Sequence, residues 1–98
     1  MSTERYKDYL FRFVRDIESP GKVRVYVESQ PSYGSRDTSI DTIHRWSGSN
    51  GSPPYICFKE AHKPSSMSEA QRIAQDWADR TDTYIRTGVP ISSQIDRE

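Results

Sequence analysis

The chain has 98 residues, with fourteen basic and fourteen acidic side chains, 33% hydrophobic residues and a single cysteine, Cys57. That length makes one domain, and the charge balance removes the long-range pull that draws a protein to nucleic acid or to an anionic membrane. One cysteine excludes an intramolecular disulfide. The first ten residues, MSTERYKDYL, contain no apolar run of the signal-peptide kind, and no segment reaches the length of a membrane span. The expected location is therefore the cytoplasm, with no membrane partner.

In chain order, residues 6–17 (YKDYLFRFVRDI) fit two patterns. Tyr6, Tyr9, Leu10, Phe13, Val14 and Ile17 make a helical stripe that leaves Phe11 out. As a strand, Tyr9, Phe11, Phe13 and Ile17 face one way, with Arg15 intruding on that side. Ser19-Pro20-Gly21-Lys22 decides for the strand, because proline and glycine stand where a type II turn needs them. Val23–Val27 is β-branched and alternating, so a hairpin of the two runs is expected. An N-terminal helix followed by three strands is the alternative.

Residues 29–39 are a long polar loop. Ile40–Ser47 reads as a third strand. Ser47–Pro54 is a loop centred on Asn50-Gly51, a pair favoured in tight reversals. Tyr55–Lys59 reads as a fourth strand and Glu60–Ser65 as a linker.

The last element is the best marked. Ser66-Met67-Ser68-Glu69 has capping-box spacing. Ala70, Ile73, Ala74, Trp77, Ala78, Tyr84 and Ile85 then recur on one helical face, and Gly88 and Pro90 end the helix. The expectation is an α+β fold: a four-stranded, mostly antiparallel sheet with one long C-terminal helix packed on one face. The core spans about residues 6–88, and residues 89–98 form a flexible tail from which Val89 and Ile91 can still dock. No family resemblance is carried by these residues.

No motif completes a catalytic or metal constellation. If Trp46 faces Tyr55 across the last two strands, His44 falls opposite Cys57, the one pairing that can activate a thiol. A free cysteine is more simply a small core residue. His44, His62 and Cys57, even with Asp41 or Glu60 drafted in, match no zinc spacing. The Ser47–Ser52 loop has the composition of a phosphate cradle, but it runs into Pro53-Pro54, which carry no amide hydrogen. Asp76 and Asp82 stand four residues from arginines (Arg72 and Arg80; Arg86), as in surface ion pairs. The Asn50-Gly51-Ser52 sequon has no secretory route to give it meaning. No catalytic residue, metal or cofactor is assigned.

A helix over one sheet face leaves the other open. Alternation sends Arg24, Tyr26, His44, Trp46 and Tyr55 to that face, with Arg12 beside them. Trp, Tyr and Arg dominate protein contact sites, and aromatics interleaved with arginine also stack single-stranded bases. The leading expectation is a small non-catalytic binding or regulatory module that recognises a protein partner, self-association included. A nucleic-acid-binding module using the same face is the alternative, and a small enzyme with Cys57 as nucleophile stands third.

Overall fold

The computed structural model describes residues 2–48, 51–58 and 62–96. Strands β1 (Ser2–Tyr6), β2 (Tyr9–Arg15) and β3 (Val23–Ser29) form an antiparallel meander. A short helix α1 (Ile40–Ile43) and two short strands, β4 (Arg45–Trp46) and β5 (Tyr55–Ile56), follow. Helix α2 (Met67–Thr87) and helix α3 (Ile91–Asp96) complete the chain. The five-stranded sheet has the order β1-β2-β3-β5-β4. The fold is α+β with an antiparallel sheet and one long helix, but with five strands among the described residues where four were expected.

Residues 6–17 resolve as strand and turn, which overturns the N-terminal helix. Tyr9, Phe11 and Phe13 are buried with Val25 and Val27 of β3. The conflict between Arg15 and Ile17 disappears because β2 stops at Arg15, leaving Ile17 in the turn with 87% of its surface exposed. The Pro20-Gly21 turn forms as expected: Gly21 takes φ 83 and the Lys22 amide donates to the Ser19 carbonyl at 3.0 Å. The additional strand, β1, folds back on β2 in a hairpin whose corner places Lys7 in the left-handed region at φ 54. The Lys7 ammonium lies 2.7 Å from Asp79 on α2.

Half of the expected third strand, Ile40–Ile43, is helix. Asp37 accepts from the Ser39 amide (3.1 Å), the Ser39 hydroxyl (2.8 Å) and the Thr42 hydroxyl (2.9 Å). Such local side-chain bonds compete with a sheet ladder, and here they start a helical turn at Ser39. Only Arg45 and Trp46 remain to pair with β5. The expected fourth strand is likewise short at Tyr55–Ile56, though the Cys57 amide still donates to the His44 carbonyl at 2.9 Å. The loop centre at Asn50, the end of the expected fourth strand at Lys59 and the start of the expected linker at Glu60 lie outside the described residues.

Helix α2 has the expected ends. Ser66 caps it by accepting from the Glu69 amide at 3.2 Å, and Glu69 reaches back to the Ser65 amide at 3.1 Å. Gly88 closes it in the left-handed region at φ 82. Ala70, Ala74 and Ala78 are fully buried, so the helix backbone lies close over the strands. Trp77 fills the centre of the interface, edge-on to Tyr9 (6.0 Å) and Phe11 (6.2 Å), with its indole N–H donating to the buried Ile43 carbonyl at 2.9 Å. Helix α3 stands where a frayed tail was expected. Its Ile91 is buried, and the Gln94 amide group donates to the Arg80 and Val89 carbonyls. No described helix is long and apolar enough to cross a membrane.

Candidate functional site

The helix covers the face of the sheet that carries Tyr9, Phe11, Phe13, Val25 and Val27. The alternate residues therefore make the other face. Register sets four of them in one row across four strands: Arg12 pairs with Tyr26, Tyr26 with Tyr55, and Tyr55 with Trp46. Residues opposite each other on one sheet face are close enough for their side chains to touch, and Arg12, Tyr26 and Tyr55 do. The Arg12 guanidinium lies 4.5 Å from the Tyr26 ring centre, and the Tyr26 and Tyr55 rings meet edge-on at 5.9 Å. Arg24, one step along β3, lies 4.3 Å from the Tyr55 ring centre. Two arginines thus pack on two tyrosines, with Trp46 at the end of the row and 48% of its surface exposed.

The arginine charges are answered locally. Arg12 Nε is 2.6 Å from Glu28, and Arg24 Nη2 is 3.3 Å from Glu18 and 3.5 Å from Asp16. Asp16 is the buried centre of this corner at 4% exposure. It also accepts from the Glu18 amide at 2.9 Å and lies 3.2 Å from Lys63. Burial pushes its carboxyl upward, but the Glu18 amide, Lys63 and Arg24 outweigh burial and hold it below the ordinary carboxylate range. For Arg24, burial opposes the charge, while contact with Tyr26 and the charges of Asp16 and Glu18 raise it above the usual guanidinium value. Asp16, Glu18, Arg24, Trp46 and Tyr55 line a shallow cavity of about 230 Å³.

Of the residues expected on this face, Arg24, Tyr26, Tyr55 and Trp46 come together and His44 does not. His44 ends α1 in the left-handed region, with φ 52 and ψ 43, and lines a different cavity on the helix side with Trp77 and Ile73. Strand alternation does not apply to a residue with that backbone. The acids Glu28, Glu18 and Asp16 were not among the expected site residues. Glu28 was legible, since it follows Tyr26 at the strand period of two, with a charge opposite to Arg12.

No family model, curated protein or solved structure matches this chain, so the residues themselves are the whole basis for reading the site.

Of the remaining candidates, His44 and Cys57 do become neighbours, as the Trp46–Tyr55 register implies, the Cys57 amide donating to the His44 carbonyl. Burial raises the Cys57 thiol above its ordinary value, with hydrogen bonding to Trp46 lowering it and Asp41 raising it, the opposite of what a thiolate nucleophile needs. Among the described residues, no three His, Cys, Asp or Glu side chains gather to hold a metal ion. Arg80 does pair with Asp76 at 2.8 Å, as the helical spacing implies. Asp79 and Asp82 instead fasten the β1–β2 hairpin to α2, through Tyr6 and Lys7 on Asp79 and through Tyr9 on Asp82.

Proposed function

We infer that this chain is a small non-catalytic binding module of the cytoplasm that recognises a protein partner through the sheet face its helix leaves open, a second copy of the chain being the first partner to test. The single observation that carries this reading is the cross-strand row Arg12–Tyr26–Tyr55–Trp46 with Arg24 packed on it. Rigid aromatics and arginines whose order is already set lose little freedom on contact, and they are the side chains that dominate protein interfaces. Trp46 supplies the exposed apolar surface at the end of the row. His44 has no part in this face, and no cofactor or metal is part of the reading.

Nucleic acid would stack on the same aromatics. Against it, Arg12 and Arg24 already face Glu28, Glu18 and Asp16. A phosphate would have to displace those carboxylates, and they repel it. Trp46→Ala combined with Tyr55→Ala tests the protein-contact reading. Sedimentation across a concentration series should show wild-type self-association lost in the double variant, and thermal melts should show the fold retained. Unchanged sedimentation with an intact fold refutes the role of this face in self-association. Binding of single-stranded oligonucleotide that weakens steeply with salt would replace the reading with the nucleic-acid one.

A further inference from the structure

The geometry points to a second binding site, independent of the sheet-face reading: the cavity enclosed by the β4–β5 end of the sheet, α2 and α3 takes a small monocarboxylic acid with an apolar body. The cavity has a volume of about 310 Å³. That lies at the lower end of the range for small-molecule sites, so the ligand is small, of the size of a one-ring aromatic or branched aliphatic acid. Its walls are apolar, built from Ile56 and Phe58 of the sheet end, Ile73 and Trp77 of α2, and Ile91 and Ile95 of α3. Ile95 is 44% exposed, an apolar side chain that a ligand in the cavity would cover.

The polar lining is where the class of ligand is decided. Asp76 is the one carboxylate among the described lining residues, and Arg80 pairs with it at 2.8 Å. Two imidazoles, His44 and His62, line the same space. An imidazole carries an N–H donor in either charge state. The lining therefore offers donors to an anion without an unpaired negative charge among these residues to repel it. His44 is also firmly seated. Its amide donates to the Ile40 carbonyl at 2.8 Å, and its carbonyl accepts from the Cys57 amide at 2.9 Å. Both bonds hold a non-glycine residue in the left-handed region, a strained backbone of the kind kept where surroundings fix it. Carboxylate is preferred to phosphate because the mostly apolar walls favour an apolar body joined to one small charged group.

The probe is phenylacetate, with 2-phenylethanol as its uncharged counterpart. Proton–nitrogen NMR spectra of the whole chain should show saturable shifts of the Trp77 indole N–H and the α3 amides with phenylacetate, and binding about ten-fold weaker for the alcohol, the worth of one hydrogen bond to a charged group. His44→Gly with His62→Ala removes both imidazoles, and glycine accepts the left-handed backbone without strain. This variant should bring the two ligands within about two-fold of each other. Ile95→Glu, on an exposed position that keeps the fold, removes apolar wall from both ligands and adds a like charge against the acid alone, so it should weaken the acid about ten-fold more than the alcohol. The inference is overturned by any of four results: no saturable shift at Trp77, equal binding of acid and alcohol by the wild type, shifts centred on Trp46 and Tyr55, or an Ile95→Glu variant that weakens acid and alcohol equally.

Discussion

Replacing Trp77 separates the two ways in which α2 holds the sheet. The indole is 4% exposed, it meets Tyr9 and Phe11 edge-on, and its N–H satisfies the carbonyl of Ile43. Trp77→Phe keeps most of the apolar volume and removes the donor. Ile43 is fully buried, so its carbonyl is left unpaired away from water, which costs about 1–3 kcal/mol. Trp77→Ala removes the ring as well. Large aromatic-to-alanine changes in a core cost about 3–5 kcal/mol. Against a total stability of about 5–15 kcal/mol for a domain, the alanine variant is close to unfolding and the phenylalanine variant is not. Urea titration followed by far-ultraviolet circular dichroism reads both. The expected order of midpoints is wild type, then Trp77→Phe, then Trp77→Ala, each step resolved. An alanine variant with a wild-type midpoint would refute the burial of the indole, and a phenylalanine variant as stable as wild type would refute the role of the Ile43 carbonyl.

Asp16 makes stability depend on pH. Its carboxyl is held below its unfolded value, so its contribution is complete above the ordinary carboxylate range and is lost as the pH falls through the lower, folded value; Asp37 and Asp79 are lowered too and act in the same direction. Asp16→Asn should lower stability by about 1.5–3 kcal/mol at neutral pH and flatten the acid limb of a melting-temperature profile, and an unchanged profile would show that the Asp16 corner is not formed. Cys57 should react with a thiol reagent more slowly than a free cysteine at neutral pH, because burial raises its thiol, and Cys57→Ser should leave any partner binding intact; rapid labelling would revive the nucleophile. Gly88→Ala forces a side chain into a left-handed cap at φ 82 beside the Arg36 guanidinium and should cost about 1 kcal/mol in a thermal melt, an effect absent if the cap is not left-handed.

The parts of the fold legible in the sequence are those where one physical pattern acts alone. Tyr9, Phe11 and Phe13 alternate over a buried sheet face, Pro20-Gly21 sets the turn, and Ser66, Glu69 and Gly88 mark the ends of α2. β1 escaped because Ser2–Tyr6 is an edge strand of mostly exposed residues, with no apolar alternation to read. α1 escaped because Ile40–Ile43 is apolar enough for a strand, and the Asp37 network that makes it helical is built from polar residues that resemble any loop. Docking of Ile91 was within reach of the sequence, but the helical form of α3 was not, because Gln94 finds its partners only once α2 is in place. On the open face, the pairing of Trp46 with Tyr55 was one of the registers that the two short strands allow, and it is the one that forms. The placement of His44 on that face fails, since one left-handed residue breaks the alternation on which it rested.

The strand order fixes the sequence of events by which the chain leaves a ribosome. β1, β2 and β3 are neighbours in both chain and sheet, so the meander can close from local contacts as soon as it emerges. β5 must then cross back over residues 30–54 to reach β3, and the cover for Tyr9, Phe11 and Phe13 comes from α2, which is synthesised after every strand. A growing chain therefore carries an aromatic sheet face that is bare for the time needed to make residues 30–87. During that interval the nascent protein is most exposed to aggregation, and holding chaperones have a binding surface that the finished fold does not offer.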